Sequence, residues 1–133
     1  MPTITGDFDV RRTPGPPADF GDGAAAMQMR FDKTFRGPLA ASSVVHFLGM
    51  MDQATGSGGY VALERLSGTL DGRTGSFMLQ HNCTMDRGAQ SQSIAVVPGS
   101  GTDALAGLRG TMTIDIVDGR HLYTFDYALP DMA

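Results

Sequence analysis

The chain is nearly free of cysteine: Cys83 is the single one in 133 residues. One thiol forms no intrachain disulfide and builds no cysteine-based metal site. Basic residues are also scarce. Ten Lys and Arg stand against 14 Asp and Glu, for a net charge of −4. That balance argues against nucleic acid or an anionic membrane as the main partner, because both are held through clustered positive charge. No run of about 18 apolar residues occurs, so no segment is expected to span a bilayer as a helix. The opening MPTITGDFDVRR lacks a basic start followed by an apolar stretch. No signal peptide is therefore expected, and the cytoplasm is the default location. A sustained 3.6-residue apolar period is missing throughout, which argues against a helical fold.

What remains is a composition suited to one packed core. Hydrophobic residues make up 41% and charged residues 18%, too apolar for disorder. A chain of this length buries enough surface to fold without staples. There is no internal repeat and no dividing linker, so residues 1–133 read as a single domain. Eighteen glycines favour many turns.

Alternation with period two dominates. Ile4, Phe8 and Val10 share one face of a first strand. Met27, Met29, Phe31, Lys33 and Phe35 oppose Gln28, Arg30, Asp32 and Thr34, the signature of a half-buried strand. SSVVHFLGMMD is extended but of ambiguous phase. GYVALERLSGTLDG puts Tyr60, Ala62, Glu64 and Leu66 together. Further strands carry Phe77, Leu79, His81, Cys83 and Met85, then Leu108, Met112, Ile114 and Ile116, then His121, Tyr123, Phe125 and Tyr127. Asp-Gly pairs at Asp71-Gly72 and Asp118-Gly119 mark hairpins, and Asp86 to Ala89 gives a weaker cue. Arg12 to Gly23, rich in Pro and Gly, reads as a loop. Eight strands joined by tight hairpins predict an all-β, single eight-stranded antiparallel up-and-down barrel.

The glycine-rich VVPGSGTDALAGLRG, Val96 to Gly110, is the one stretch that suggests nucleotide binding. A phosphate loop needs Lys then Ser or Thr after its last glycine; here Gly107 is followed by Leu108 and Arg109. A dinucleotide fingerprint needs a long helix, and the strand pattern resumes at Leu108. The stretch instead predicts a strand end at Pro98, one short helical turn capped by Thr102 or Asp103, and Ala104 and Leu105 packed against the barrel rim.

The same stretch, with KTFRG, YVALERLSGTLDGRTGSFMLQH and RHLYTFDYALP, resembles the bacterial domain-of-unknown-function family 3224 over nearly the whole chain. That resemblance implies a barrel of the allene oxide cyclase-like, calycin-like kind; it implies no settled activity. The chain departs from the family pattern at Asn82 to Thr84, where Ser or Gly followed by Gly is expected, so Cys83 is not read as a family nucleophile.

Several polar side chains fall on the apolar, inward face. Lys33 lies among Met29, Phe31 and Phe35, and Glu64 among Tyr60, Ala62 and Leu66. An unpaired buried charge costs several kcal/mol, so either the two neutralise each other or they line a wet pocket. The pocket reading makes Glu64 a base or electrostatic stabiliser, Lys33 its cationic partner, and His81 and Tyr123 accessory proton or charge groups. Tyr60, Met29, Phe31, Phe77, Leu79, Phe125 and Tyr127 would line the ligand, beside an adaptable methionine surface drawn from nine methionines. His81 and the tyrosines also read as ordinary core residues. His46 has no settled phase, and His121 is expected near the rim. No H-x-H or H-E-x-x-H spacing suggests a metal, no G-x-S-x-G elbow suggests a Ser–His–Asp triad, and no cofactor is implied. Three readings stay open: a cofactor-independent isomerase or cyclase acting on a small apolar organic molecule, a lipocalin-like binding or carrier protein without chemistry, and a homodimeric interaction protein with a filled barrel.

Overall fold

The computed structural model describes residues 2–132. Among them run β1 (Thr3–Pro14), β2 (Ala18–Gly21), β3 (Ala24–Arg36), β4 (Leu39–Asp52), β5 (Ser57–Leu70), β6 (Arg73–Asp86), β7 (Ala89–Val96), β8 (Arg109–Val117) and β9 (Arg120–Ala128). One 3-10 turn, Asp103–Leu105, separates β7 from β8. Eight strands close an antiparallel barrel in the order β1-β9-β8-β7-β6-β5-β4-β3, sealed where β3 pairs with β1, and β2 is an extra strand on β3. The expected all-β barrel with one short helical turn is the architecture the chain adopts. No helix among the described residues is long and apolar enough to cross a membrane.

Turn chemistry sets the register. Asp71-Gly72 and Asp118-Gly119 both hold positive φ, 48° and 82° in the first pair, as a two-residue type I′ hairpin requires. The tight turn places Leu70 opposite Arg73 and hence Glu64 opposite Leu79. Arg87-Gly88 turns the same way between β6 and β7.

The expected loop from Arg12 to Gly23 is a correction. β1 continues through Pro14, pairing Arg12 with Phe31 and Pro14 with Met29, and β2 then pairs Ala18 with Ala26. β1 leaves β9 after Phe8, so its far half is an edge, where a proline with no N–H to donate is tolerated. Pro16 and Pro17 fall in the gap between the two ladders. Asp22-Gly23, a further Asp-Gly pair, turns β2 into β3. At the closing seam Arg36 clasps Asp7 (3.1 Å) and Asp9 (2.7 Å).

The two ends of the barrel differ. The end carrying the β5–β6 turn is plugged by Leu39, Leu70, Leu105, Leu108 and Leu129, all buried. Here too the outcome differs in detail from expectation. Leu105 is buried but Ala104 is exposed, and Thr102 does not cap the turn with its side chain. Thr102 Oγ1 instead accepts the Ser76 N–H (3.0 Å) and shares a hydrogen bond with Ser76 Oγ (2.7 Å), stitching the turn to β6. Ile116, expected inward, is exposed. β7 pairs with β8 only at Ile94–Met112 and Ala95–Thr111, so the end of β8 lacks that neighbour. Truncating the plug with Leu105→Ala is expected to cost about 2–5 kcal/mol, read as a lower urea midpoint with the slope unchanged; a loss below about 1 kcal/mol would refute its role as a packed stopper.

Candidate functional site

Four inward side chains from four consecutive strands meet inside the barrel. Lys33 on β3 lies opposite Ser43 on β4. Glu64 on β5 lies opposite Val45 on β4 and Leu79 on β6. Ser43 and His81 are therefore diagonal, same-face neighbours of Glu64, within reach of a long side chain. Ser43 Oγ donates to Glu64 Oε2 (2.7 Å). His81 Nε2 donates to Glu64 Oε1 (2.7 Å), since an ionised carboxylate only accepts. Lys33 Nζ reaches the same oxygen at 3.3 Å. The ammonium also sits 4.7 Å from the Phe8 ring centroid, a cation–π position.

Glu64 is wholly buried at 0% exposure, with Lys33 at 8% and His81 at 5%. Burial pushes the Glu64 carboxyl up; the His81 bond, the Lys33 charge and the Ser43 hydroxyl together outweigh it and hold the group below its ordinary value of 4.5. Glu64 is thus ionised and engaged through both oxygens. Among the described residues no buried side-chain nitrogen or oxygen lacks a partner. Lys33 is the chain's only lysine and Glu64 its only glutamate; every other formal charge is carried by Asp or Arg. That singularity is a readable signal in the sequence, whereas Ser43 is hidden there because β4 shows no clear phase.

The remaining candidates separate into two groups. Tyr123 does not join Glu64: its hydroxyl donates to Arg36 O (2.9 Å) and accepts the Leu39 N–H (3.3 Å) at the β3–β4 turn. Burial first of all holds its pKa above the ordinary tyrosine value. Phe77, Leu79, Phe125 and Tyr127 are sealed in the core toward the plugged end; Phe77 stacks on Phe125 at 5.9 Å, and Tyr127 bonds Asp71. Met29, Phe31 and Tyr60 are only half-buried and lie at the opposite, open end. There Phe47 joins Phe31 edge-on at 5.6 Å and Tyr60 at 4.8 Å. Burial, then the Cys83 thiol, pushes the Tyr60 hydroxyl up to about 12, so it stays protonated at neutral pH. His46 is exposed and points outward, and His121 is half-buried against Phe8.

A cleft of about 630 Å³ opens between the β2–β3 hairpin and the upper ends of β4, β5 and β6; its lining includes Phe20, Ala26, Leu48, Tyr60, Val61 and Cys83. Such a volume suits a small organic molecule. Among the described residues no group of three His, Cys, Asp or Glu side chains is placed to hold a metal ion.

A closed eight-stranded barrel with an ion pair in its core and an apolar cleft at one end is the class of protein this geometry defines. Residues 4–127 match the family described as protein of unknown function DUF3224, and the chain belongs to that family. It is 43% identical to a DUF3224 protein of unknown function from Shewanella oneidensis MR-1, whose crystal structure superposes with a TM-score of 0.89 over 96% of this chain and 97% of that one. No curated protein matches the chain.

Removing the carboxylate charge strands a buried ammonium. Glu64→Gln is expected to cost about 3–5 kcal/mol, and adding Lys33→Met to recover much of it. With its folded pKa depressed, the Glu64 contribution is fully present above the ordinary value of 4.5 and lost as pH falls through the lower folded value. Melting curves from pH 7 to pH 2 should therefore show the wild-type advantage over Glu64→Gln shrinking on acidification. An advantage independent of pH would contradict an ionised Glu64.

Proposed function

We propose that this barrel binds a small, mostly apolar organic molecule in the cleft at its open end, as a binding or carrier protein, with the buried charges serving as scaffold. The observation that carries the reading is the division of the interior: Glu64 is sealed with both oxygens occupied, while half-buried Tyr60 and the cleft remain accessible. An isomerase or cyclase of the kind implied by the resemblance to allene oxide cyclase-like barrels would need a group that meets its substrate. The Glu64 carboxylate already holds three donors and has no exposed surface, which favours binding over proton transfer by that residue. Fold alone supplies no activity.

Native mass spectrometry of the purified protein, followed by titration with an environment-sensitive naphthalene sulfonate probe, tests the reading. Tyr60→Ala or Phe20→Ala should weaken probe binding about tenfold, the loss expected from one aromatic contact worth about 1.5 kcal/mol, with cooperative unfolding retained. The folded fraction of Glu64→Gln should bind as wild type. Unchanged affinity in both cleft variants would overturn the proposal, and turnover of a captured molecule that vanishes in Glu64→Gln would replace it with an enzyme.

A further inference from the structure

Antiparallel barrels normally set apolar residues inside and polar residues outside. Most of this wall obeys: β3 turns Gln28, Arg30, Asp32 and Thr34 outward, and β8 turns Arg109, Thr111, Thr113 and Asp115 outward. One side does not. β4 turns out Val44, Leu48 and Met50, β5 turns out Val61 and Leu63, and β6 turns out Met78. Leu48 lies opposite Val61, and Arg65 lies between Val44 and Met78. These side chains run as a stripe diagonally across three strands, with Met50 61%, Val61 54% and Leu63 48% exposed, and the exposed His46, Gln80 and Asn82 stand on the same face beside Leu63 and Val61. Apolar residues on both faces of a strand are the mark of a strand covered on both sides.

Charge at the two ends of the stripe says what covers it. Toward the plugged end, the exposed Arg65 guanidinium bonds the hydroxyls of Ser67 and Ser76, each at 3.2 Å. Toward the open end stand the exposed carboxylates of Asp52 and Asp86. Asp52 lies opposite Ser57, eight residues along β5 from Arg65, a span of about 26 Å. Val61, opposite Leu48, is the midpoint of that span. A two-fold axis through Val61 and Leu48 lays stripe on stripe and places each Arg65 against the partner's Asp52. That is the self-complementarity an isologous contact demands.

We propose that the outer face of β4, β5 and β6 is the interface of a homodimer, two copies packed face to face with their strands antiparallel about this axis. The interface does not rest on the proposed ligand, although the two share residues. Leu48, Met50 and Val61 also line the cleft, so the second copy would roof it. Analytical ultracentrifugation is run up to on the order of 100 μM, because interfaces of modest area bind weakly. Wild type should sediment at twice the chain mass, and Leu63→Glu as a monomer, with Val61→Arg as a second variant should the first fail to fold. Arg65→Asp and Asp52→Arg should each self-associate at least tenfold more weakly, since each sets like charges face to face. An equimolar mixture of the two should dimerise again, because both contacts then pair opposite charges. A monomeric wild type, a dimer that survives Leu63→Glu, or a mixture no tighter than its components overturns the proposal. So does a wild type that stays monomeric while binding detergent micelles through the stripe. Probe affinity measured on the same samples separates the two readings: a monomer that binds the probe removes only this interface, and a dimer that does not removes only the ligand.

Discussion

A single carboxylate taken wholly out of water organises this molecule. Glu64 sits between Ser43, His81 and Lys33, and its burial is tolerable only because each oxygen is met by a donor and one donor is cationic. The contact also ties β3, β4, β5 and β6 into one alignment. Slipping β5 by one residue would turn Glu64 to solvent and drive Arg65 into the core. The network is costly if half made and strongly specifying if complete, so it defines the register of the wall that carries the cleft.

The plug, the buried charges and the cleft consequently occupy different levels of the barrel. Leucines from the strand ends and the 3-10 turn stop one end. The ionic layer lies among the core strands, and half-buried aromatics face the other end. Tyr60 lines the cleft, whereas Glu64, four residues further along β5, has no exposed surface. The outer wall of β4, β5 and β6 adds a third apolar surface, continuous with the cleft through Leu48 and Val61.

Much of this was legible along the chain. Lys33, Glu64 and His81 were placed inward by alternation alone, because a strand sends every second side chain to the same face. Asp71-Gly72 and Asp118-Gly119 announced their hairpins, since few residues accept the positive φ of a type I′ turn. The segment before Ala24 is strand rather than the expected loop: proline and glycine signal a break without saying whether the break is an edge, and a free edge beside β3 makes room for β1 and β2. Ser43 was hidden by its strand. SSVVHFLGMMD is apolar on both faces, so period two leaves no contrast from which to read its phase. The uniqueness of Lys33 and Glu64 among the charged residues was a compositional sign that the two belong together.

By itself, then, the order of residues determined that the chain would be strands joined by tight turns, that Lys33, Glu64 and His81 would share the inward face, and that a buried charge would need a partner. These follow from local periodicity and turn chemistry, which act over a few residues. Only closure of the barrel decided that Ser43 and His81 flank Glu64, that Tyr123 is spent on the backbone of Arg36 and Leu39 instead, and which end stays open. Those outcomes depend on the stagger of strands distant in the chain, and stagger is set when the sheet meets itself, with β1 returning to β3 and β9, a long-range condition that no short stretch encodes.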